Sequence, residues 1–341
     1  MKTMMNNDPH VMEDMFYAKQ FAFSYSSLKK LLTSPMLFYK YYILGQDDEE
    51  ETQSMVEGSL IHCLLFEPDM YDFEFIMSQD DLPSENVQDV ITHVYELYMS
   101  EMTDETIQVK RIELKHYEKE ILDKLAEMNL FQKMTEPVRL GKIINETGEK
   151  FWMFMKNATG KTIITPDIYS KCCDIVELIK KHPVAKLMGI NSELQDNVFD
   201  ETILETDIEG MPFSLKGKID NFVIDDATST VYVNDLKTIR SSLVDFPESV
   251  EKYGYWLQAA IYMRLTKKAV PLISKKAENY KHVFNFVVVD RYSQIYAFEV
   301  SEDTMTNWEI DLQEKLHEAK YHYESKDYSL PYKFVKSKVM L

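Results

Sequence analysis

Residues 213–263 read FSLKGKIDNFVIDDATSTVYVNDLKTIRSSLVDFPESVEKYGYWLQAAIYM. Two apolar runs in this stretch each carry a carboxylate inside them, Asp220 in the first and Asp235 in the second, with Lys237 two residues further on. Asp225-Asp226-Ala227-Thr228 has turn chemistry and joins the runs as paired strands. Upstream, VFDETILETDI (198–208) alternates with period two, and Glu209-Gly210 turns it back into the first run. Downstream, the spacing predicts a helix from Phe246 to Leu265, opened by Pro247 and Glu248. Strands follow over Val283–Val289 and Gln294–Val300, then an amphipathic helix over Glu302–Ser325 capped by Ser301. Strands, helix, strands, helix predict a mixed sheet flanked by helices, an α/β (α+β) fold.

Chemistry enters at the interruptions. A carboxylate inside an apolar strand needs a partner, because burying an unpaired charge is costly. Asp235 and Lys237 lie two apart and share one face of their strand. The plainer reading is a surface ion pair, which is worth little. The sharper reading is a metal site. Two carboxylates from adjacent strands suit a divalent cation that prefers hard oxygen ligands, and a nearby ammonium can orient a water or stabilise developing charge. Gly217 would let a backbone approach closely.

The chain has 341 residues and a formal net charge of −19, which argues against a broad nucleic-acid-binding surface. A local groove can differ in sign, and Lys252, Arg264, Lys267, Lys268, Lys275, Lys276 and Lys281 form a basic-enriched stretch beside the carboxylates. Its plainer reading is a solvated helix end and loop. Cys63, Cys172 and Cys173 are too few for a disulfide framework or a zinc site and read as reduced thiols of a cytoplasmic protein. MKTMMNNDPHVMEDMF lacks a signal-peptide core, and no apolar run has the length of a membrane span.

Residues 1–23 read as poorly ordered. Ser24, Ser26 or Ser27 can cap a helix with apolar face Leu28, Leu31 and Leu32, broken at Ser34-Pro35. An aromatic-rich helix over Pro35–Leu44 follows, most simply core, and then an acidic exposed run at Gln46–Glu51. Residues 56–68 form an apolar helix holding one imidazole, His62, whose default reading is a satisfied core histidine. Residues 69–185 read as a mainly helical insertion without a catalytic constellation. Within it, 142–154 allow a short hairpin or strand, and Pro166–Lys181 a helix. The catalytic part is 186–341, and 24–341 together are expected to be one elaborated domain.

Asp220 followed by Asp235-Leu236-Lys237 resembles the PD-(D/E)XK nuclease superfamily. Gly217-Lys218-Ile219-Asp220, Asp235-Leu236-Lys237-Thr238 and Gln258-x-x-x-Tyr262 are similar to its RecB-like branch. Tyr25-Ser26-Ser27-Leu28 with Ser34-Pro35, Glu57-Gly58-Ser59-Leu60-Ile61-His62 with Glu67-Pro68, and Lys252–Ala260 resemble RecE-type (exonuclease VIII-like) phage and prophage exonucleases. The likeness covers 24–68 and about 198–300. Ile219 stands where the superfamily usually has proline.

The resemblance implies a restriction-endonuclease-like core and a Mg²⁺-dependent deoxyribonuclease, with Mn²⁺ able to substitute. It implies His62, Asp220, Asp235 and the Leu236 carbonyl as metal ligands and Lys237 as the catalytic lysine. Glu201 would complete the acidic set, with Glu205 as its rival. Gln258, Tyr253 and Tyr262 would bind substrate or support the site, although Tyr262 also reads as core. Four-cysteine iron–sulfur relatives exist, but three cysteines argue against a cluster. The expected activity is digestion of double-stranded DNA ends, 5′ to 3′, in phage-type recombination or DNA processing in a bacterial host cytoplasm. A single-strand annealing protein and a homo-oligomer are implied partners. The competing readings are a structure-specific endonuclease and an inactive binding module on a nuclease scaffold.

Overall fold

The computed structural model describes residues 9–46, 51–104, 106–107, 110–190 and 197–336. In chain order these form α1 (Pro9–Tyr17), β1 (Ala22–Phe23), α2 (Tyr25–Thr33), α3 (Pro35–Phe38), α4 (Gln53–Phe66), α5 (Tyr71–Glu74), β2 (Phe75–Met77), α6 (Glu85–Thr103), α7 (Glu118–Glu127), α8 (Glu136–Ile143), α9 (Glu146–Ala158), β3 (Thr162–Ile164) and α10 (Pro166–Lys181). Then come β4 (Val198–Asp207), β5 (Ser214–Asp225), β6 (Thr230–Thr238), α11 (Phe246–Tyr253), α12 (Tyr255–Ile273), β7 (Lys281–Val289), β8 (Ile295–Val300), α13 (Glu302–Ser325) and α14 (Tyr332–Lys336). The chain divides into two compact units. One comprises residues 1–68 and 171–341, the other 69–170.

The first unit is built on a mixed sheet in the order β1-β5-β6-β7-β8, with β4 antiparallel to β5. β6 and β7 are parallel, so α11 and α12 form the crossover between them. Ser214 and Leu215 pair with β4 and also with β1. A strand has two edges, so β1 lies on the β6 side of β5, beyond the point where β6 has left it. β5 and β7 are buried along most of their length, as expected for strands covered by helices. Gly217 allows one close approach. A Cβ there would lie 3.0 Å from Leu265 and 3.1 Å from Tyr262, so the missing side chain lets α12 lie against β5.

Several boundaries depart from expectation for identifiable reasons. Residues 9–17, expected to be poorly ordered, form α1, and Phe16 packs against the aromatic core at Phe21 and Phe38. Ser24 caps α2 through a reciprocal bond with Ser27. The helix expected over Pro35–Leu44 is α3 continued by a π turn at Tyr39–Ile43. Of the acidic run, 47–50 lie outside the described residues. The single helix expected over Phe246–Leu265 is two helices, because Gly254 adopts a left-handed conformation (φ 70°) that ends α11 and starts α12.

The second unit is helical around Val90, Ile91, Val94, Leu114, Tyr117, Ile121, Ile143 and Trp152. The hairpin or strand considered for 142–154 is instead the end of α8 and most of α9. Asn145 caps α9 by accepting from the Gly148 N–H, and Gly148, Phe151 and Trp152 bury at the i, i+3, i+4 spacing of a helix. A two-stranded parallel sheet, β2 with β3, completes the unit.

Candidate active site

The site lies where the sheet opens. Pairing of β5 with β6 runs from Asp225↔Thr230 to Asn221↔Asn234 and stops. The next residues on the two strands are Asp220 and Asp235. On the other edge of β5, β4 keeps one register but omits the pair that Glu201 would make with Asp220. Glu201 has φ 43°, a left-handed conformation that costs a non-glycine residue about 1–2 kcal/mol. Glu201, Asp220 and Asp235 thus form one cross-strand row, at the level where both ladders are interrupted.

Freed backbone groups need other partners. The Leu236 N–H donates to Asp220 Oδ2 at 2.9 Å, in place of a ladder bond. The Leu236 carbonyl lies 3.2 Å from His62 Nε2, and His62 Nδ1 lies 3.1 Å from Glu201 Oε1. His62 Nε2 is also 3.8 Å from Asp220 Oδ2. α4 delivers the imidazole, and Gly58, one turn earlier, faces the Thr238 hydroxyl at the end of β6. Both ring nitrogens therefore face oxygens. Burial opposes a charged ring, but Asp220 and Glu201 outweigh it and push the His62 pKa up to about 9. Burial likewise tends to raise the Glu201 pKa, yet its bonds to His62 and Lys218 hold the carboxyl below its ordinary value.

Asp235 is fully buried. The Lys237 ammonium pairs with its Oδ2 at 2.6 Å. Burial drives the Asp235 pKa upward, and the Lys237 ammonium opposes that shift only in part. Burial would lower the Lys237 pKa, but Asp235 and Asp220 raise it, so the ammonium stays charged. The Tyr255 ring lies 5.2 Å from that ammonium.

These groups fit a divalent cation. Ligand atoms of His62, Glu201 and Asp220 lie within 4.8 Å of one another. Asp235, next in the same row, is not among those convergent ligand atoms and its buried carboxylate is paired with Lys237, while the Leu236 carbonyl faces His62. The set is rich in hard oxygens with one imidazole and has no thiolate, a donor set that suits a divalent cation. Such an ion would polarise a phosphoryl oxygen and acidify a water. The chain's own residues would hold it, and Lys237 would place a positive charge beside the reacting oxygen.

The remaining expected residues separate. Glu205 is exposed and accepts from the Ser214 hydroxyl at 2.7 Å; it is not among the convergent ligand atoms, whereas Glu201 is. Being four apart on one strand does not make the two glutamates equivalent, because the backbone turns at Glu201. The Gln258 amide donates to the Tyr262 hydroxyl at 3.0 Å, both side chains buried on α12. Tyr253 is exposed, and its carbonyl accepts from the Tyr25 hydroxyl at 2.8 Å. Much of the basic-enriched stretch is neutralised: Lys267 pairs with Glu309, Lys276 with Asp226 and Lys281 with Glu302.

Three features escaped sequence reasoning. Lys218 bridges Glu201 Oε2 at 3.0 Å and Glu67 Oε2 at 2.7 Å. Its position two before Asp220, on the same strand face, was the available signal. Tyr255 beside Lys237 had no such signal, because the contact spans a crossover. Asn221, Asn234 and Asn285 form a buried amide row across β5, β6 and β7 at the last paired level, Asn234 donating to Asn221 and Asn285 to Asn234. This row explains why β6 carries two polar residues in succession. Asn234 and Asp235 point to opposite faces.

A mixed sheet that opens at a row of carboxylates, with a lysine two residues beyond the last, is the core of a PD-(D/E)XK nuclease. The sequence matches the family described as a PDDEXK-like domain of unknown function (DUF3799) over residues 24–327, and the chain belongs to that family. No curated protein matches it. Among solved structures it is similar to one from Eubacterium rectale, named "Putative exonuclease", at 12% identity and a TM-score of 0.44, over 99% of this chain and 89% of that one. No helix among the described residues is long and apolar enough to cross a membrane.

Proposed function

We propose that this nuclease is a Mg²⁺-dependent DNA exonuclease that digests double-stranded ends, 5′ to 3′, in phage-type recombination or DNA processing. The supporting observation is the convergence of His62, Glu201 and Asp220, with Asp235 next in the same cross-strand row and Lys237 paired to it. Mg²⁺ is the assigned ion because the set is oxygen-rich, and Mn²⁺ would replace it. His62, Asp220, Asp235 and the Leu236 carbonyl hold the ion, with Glu201 fixing the imidazole through Nδ1. Lys237 orients the attacking water or stabilises the developing charge. RecE-like use, with a homo-oligomer handing single strands to an annealing protein, belongs to this proposal and rests on motif resemblance.

The test is digestion of linear and circular duplex DNA with Mg²⁺, comparing wild type with Asp235→Ala. Linear duplex should be degraded by wild type alone. Equal activity in the two proteins would overturn the assignment, and preference for circular DNA would make the enzyme an endonuclease. The net charge of −19 favours a second reading, a binding module for a basic partner on an inactive scaffold. Retention of every site carboxylate and of Lys237 counts against it.

A further inference from the structure

A concavity of about 330 Å³ lies in the first unit against the ends of α2, α11 and α12, bordered by α13 and the start of α14. Four lysines line it, Lys29, Lys252, Lys315 and Lys333, each from a different helix, against two glutamates. One of those glutamates, Glu318, is already paired with Lys315 at 2.6 Å. In a chain with 57 acidic and 38 basic residues, a lysine readily finds a carboxylate, and many here do. Lys29 and Lys252 do not: among the described residues neither has one within ion-pair distance. Lys29 is half-buried, its ammonium 3.3 Å from the Tyr25 hydroxyl and 5.5 Å from that ring's centre, and burial pulls its pKa down. An ammonium kept from water without a counter-ion faces a place where an anion is favoured. Trp256 and Tyr253 line the same wall, Trp256 half-buried against the core and the Tyr253 ring 5.3 Å from the Lys252 ammonium.

The concavity is tied to the candidate active site. Lys29 contacts the Tyr25 hydroxyl, which donates to the Tyr253 carbonyl. The Tyr253 and Tyr255 rings are 5.7 Å apart, and the Tyr255 ring is 5.2 Å from the Lys237 ammonium. We propose that this groove is a single-strand binding track, in which Lys29 and Lys252 take phosphates of a nucleic-acid strand running past Lys237 and Trp256 stacks on one of its bases. The inference rests on the nuclease reading for the identity of the strand. It also reconciles a strongly acidic protein with a polyanionic substrate, because contact is confined to one locally basic groove.

The test separates binding from cleavage. Anisotropy of a short fluorescein-labelled oligothymidylate is followed in EDTA, over a salt series, for wild type, Lys29→Gln/Lys252→Gln, Trp256→Ala and a charge-matched control, Lys119→Gln/Lys142→Gln, whose lysines do not line the groove. Circular dichroism confirms that each variant is folded. The groove pair should lower the slope of log K against log salt by about 1.4, from roughly 0.7 per phosphate contact. Trp256→Ala should weaken binding roughly tenfold with little change in slope. The control should match wild type. Unchanged binding in the groove variants, or an equal loss of slope in the control, overturns the proposal. Metal-dependent digestion is measured separately. Its absence from wild type would sink the nuclease reading while leaving the binding result to stand or fall alone.

Discussion

Asp220 has two separable duties, and two substitutions distinguish them. Its Oδ2 accepts the N–H of Leu236, a residue 2% exposed, at 2.9 Å. Its charge serves the His62 imidazole and, on our reading, the metal. Asp220→Ala removes both duties. The buried N–H is left unsatisfied, at a cost of about 1–3 kcal/mol. Asp220→Asn keeps an acceptor of the same shape and removes only the charge. Hydrogen exchange at the Leu236 amide reads the local term without requiring the two units to unfold together. Protection should fall roughly 5- to 150-fold in Asp220→Ala, the factor that corresponds to that cost, and stay near wild type in Asp220→Asn. Digestion of linear duplex should fall at least about a hundredfold in both, since a catalytic ion contributes several kcal/mol and each 1.36 is a factor of ten. Digestion within tenfold of wild type in Asp220→Asn, or equal Leu236 protection in the two variants, would refute the reasoning.

Further outcomes follow from the same geometry. The His62 pKa is raised from 6.5 to about 9, so its protonated form stabilises the metal-free fold. That contribution is complete below about pH 6.5 and is lost as pH rises through 9. Melting in EDTA should therefore drop across this window in wild type and respond less in His62→Gln. Glu201→Gln should weaken Mn²⁺ binding by roughly 10- to 100-fold while Glu205→Gln leaves it unchanged, as calorimetry can show. Gly217→Ala should destabilise by about 1–3 kcal/mol in urea unfolding, because its Cβ would crowd Leu265 and Tyr262.

The parts of this molecule that follow local rules were legible in its residues. Period-two alternation located β4, β5 and β6, and the Ser301 cap with helical spacing bounded α13. Asp220, Asp235 and Lys237 stood out because they break apolar strands, where a charge demands a reason. What stayed hidden depends on backbone states or long-range contacts. The hairpin considered at 142–154 gave way to helix, where Phe151 and Trp152 bury one turn after Gly148, a pattern short enough to read either way. Gly254 divides one expected helix into two, since glycine's left-handed conformation is optional until tertiary packing demands it. Glu201 was favoured over Glu205 by its spacing to Asp220, but the positive φ at Glu201 is a backbone state that no composition rule predicts. Lys218 was visible by spacing but not its bridge to Glu67, a residue 151 positions away.

The central claim is that His62, Asp220 and Asp235, with Glu201 behind the imidazole, hold one divalent ion beside Lys237. Calorimetric titration of Mn²⁺ near neutral pH tests this most directly. Saturable binding is expected in wild type and is lost in Asp235→Ala. Absence of binding in wild type, or equal binding in both proteins, would contradict it.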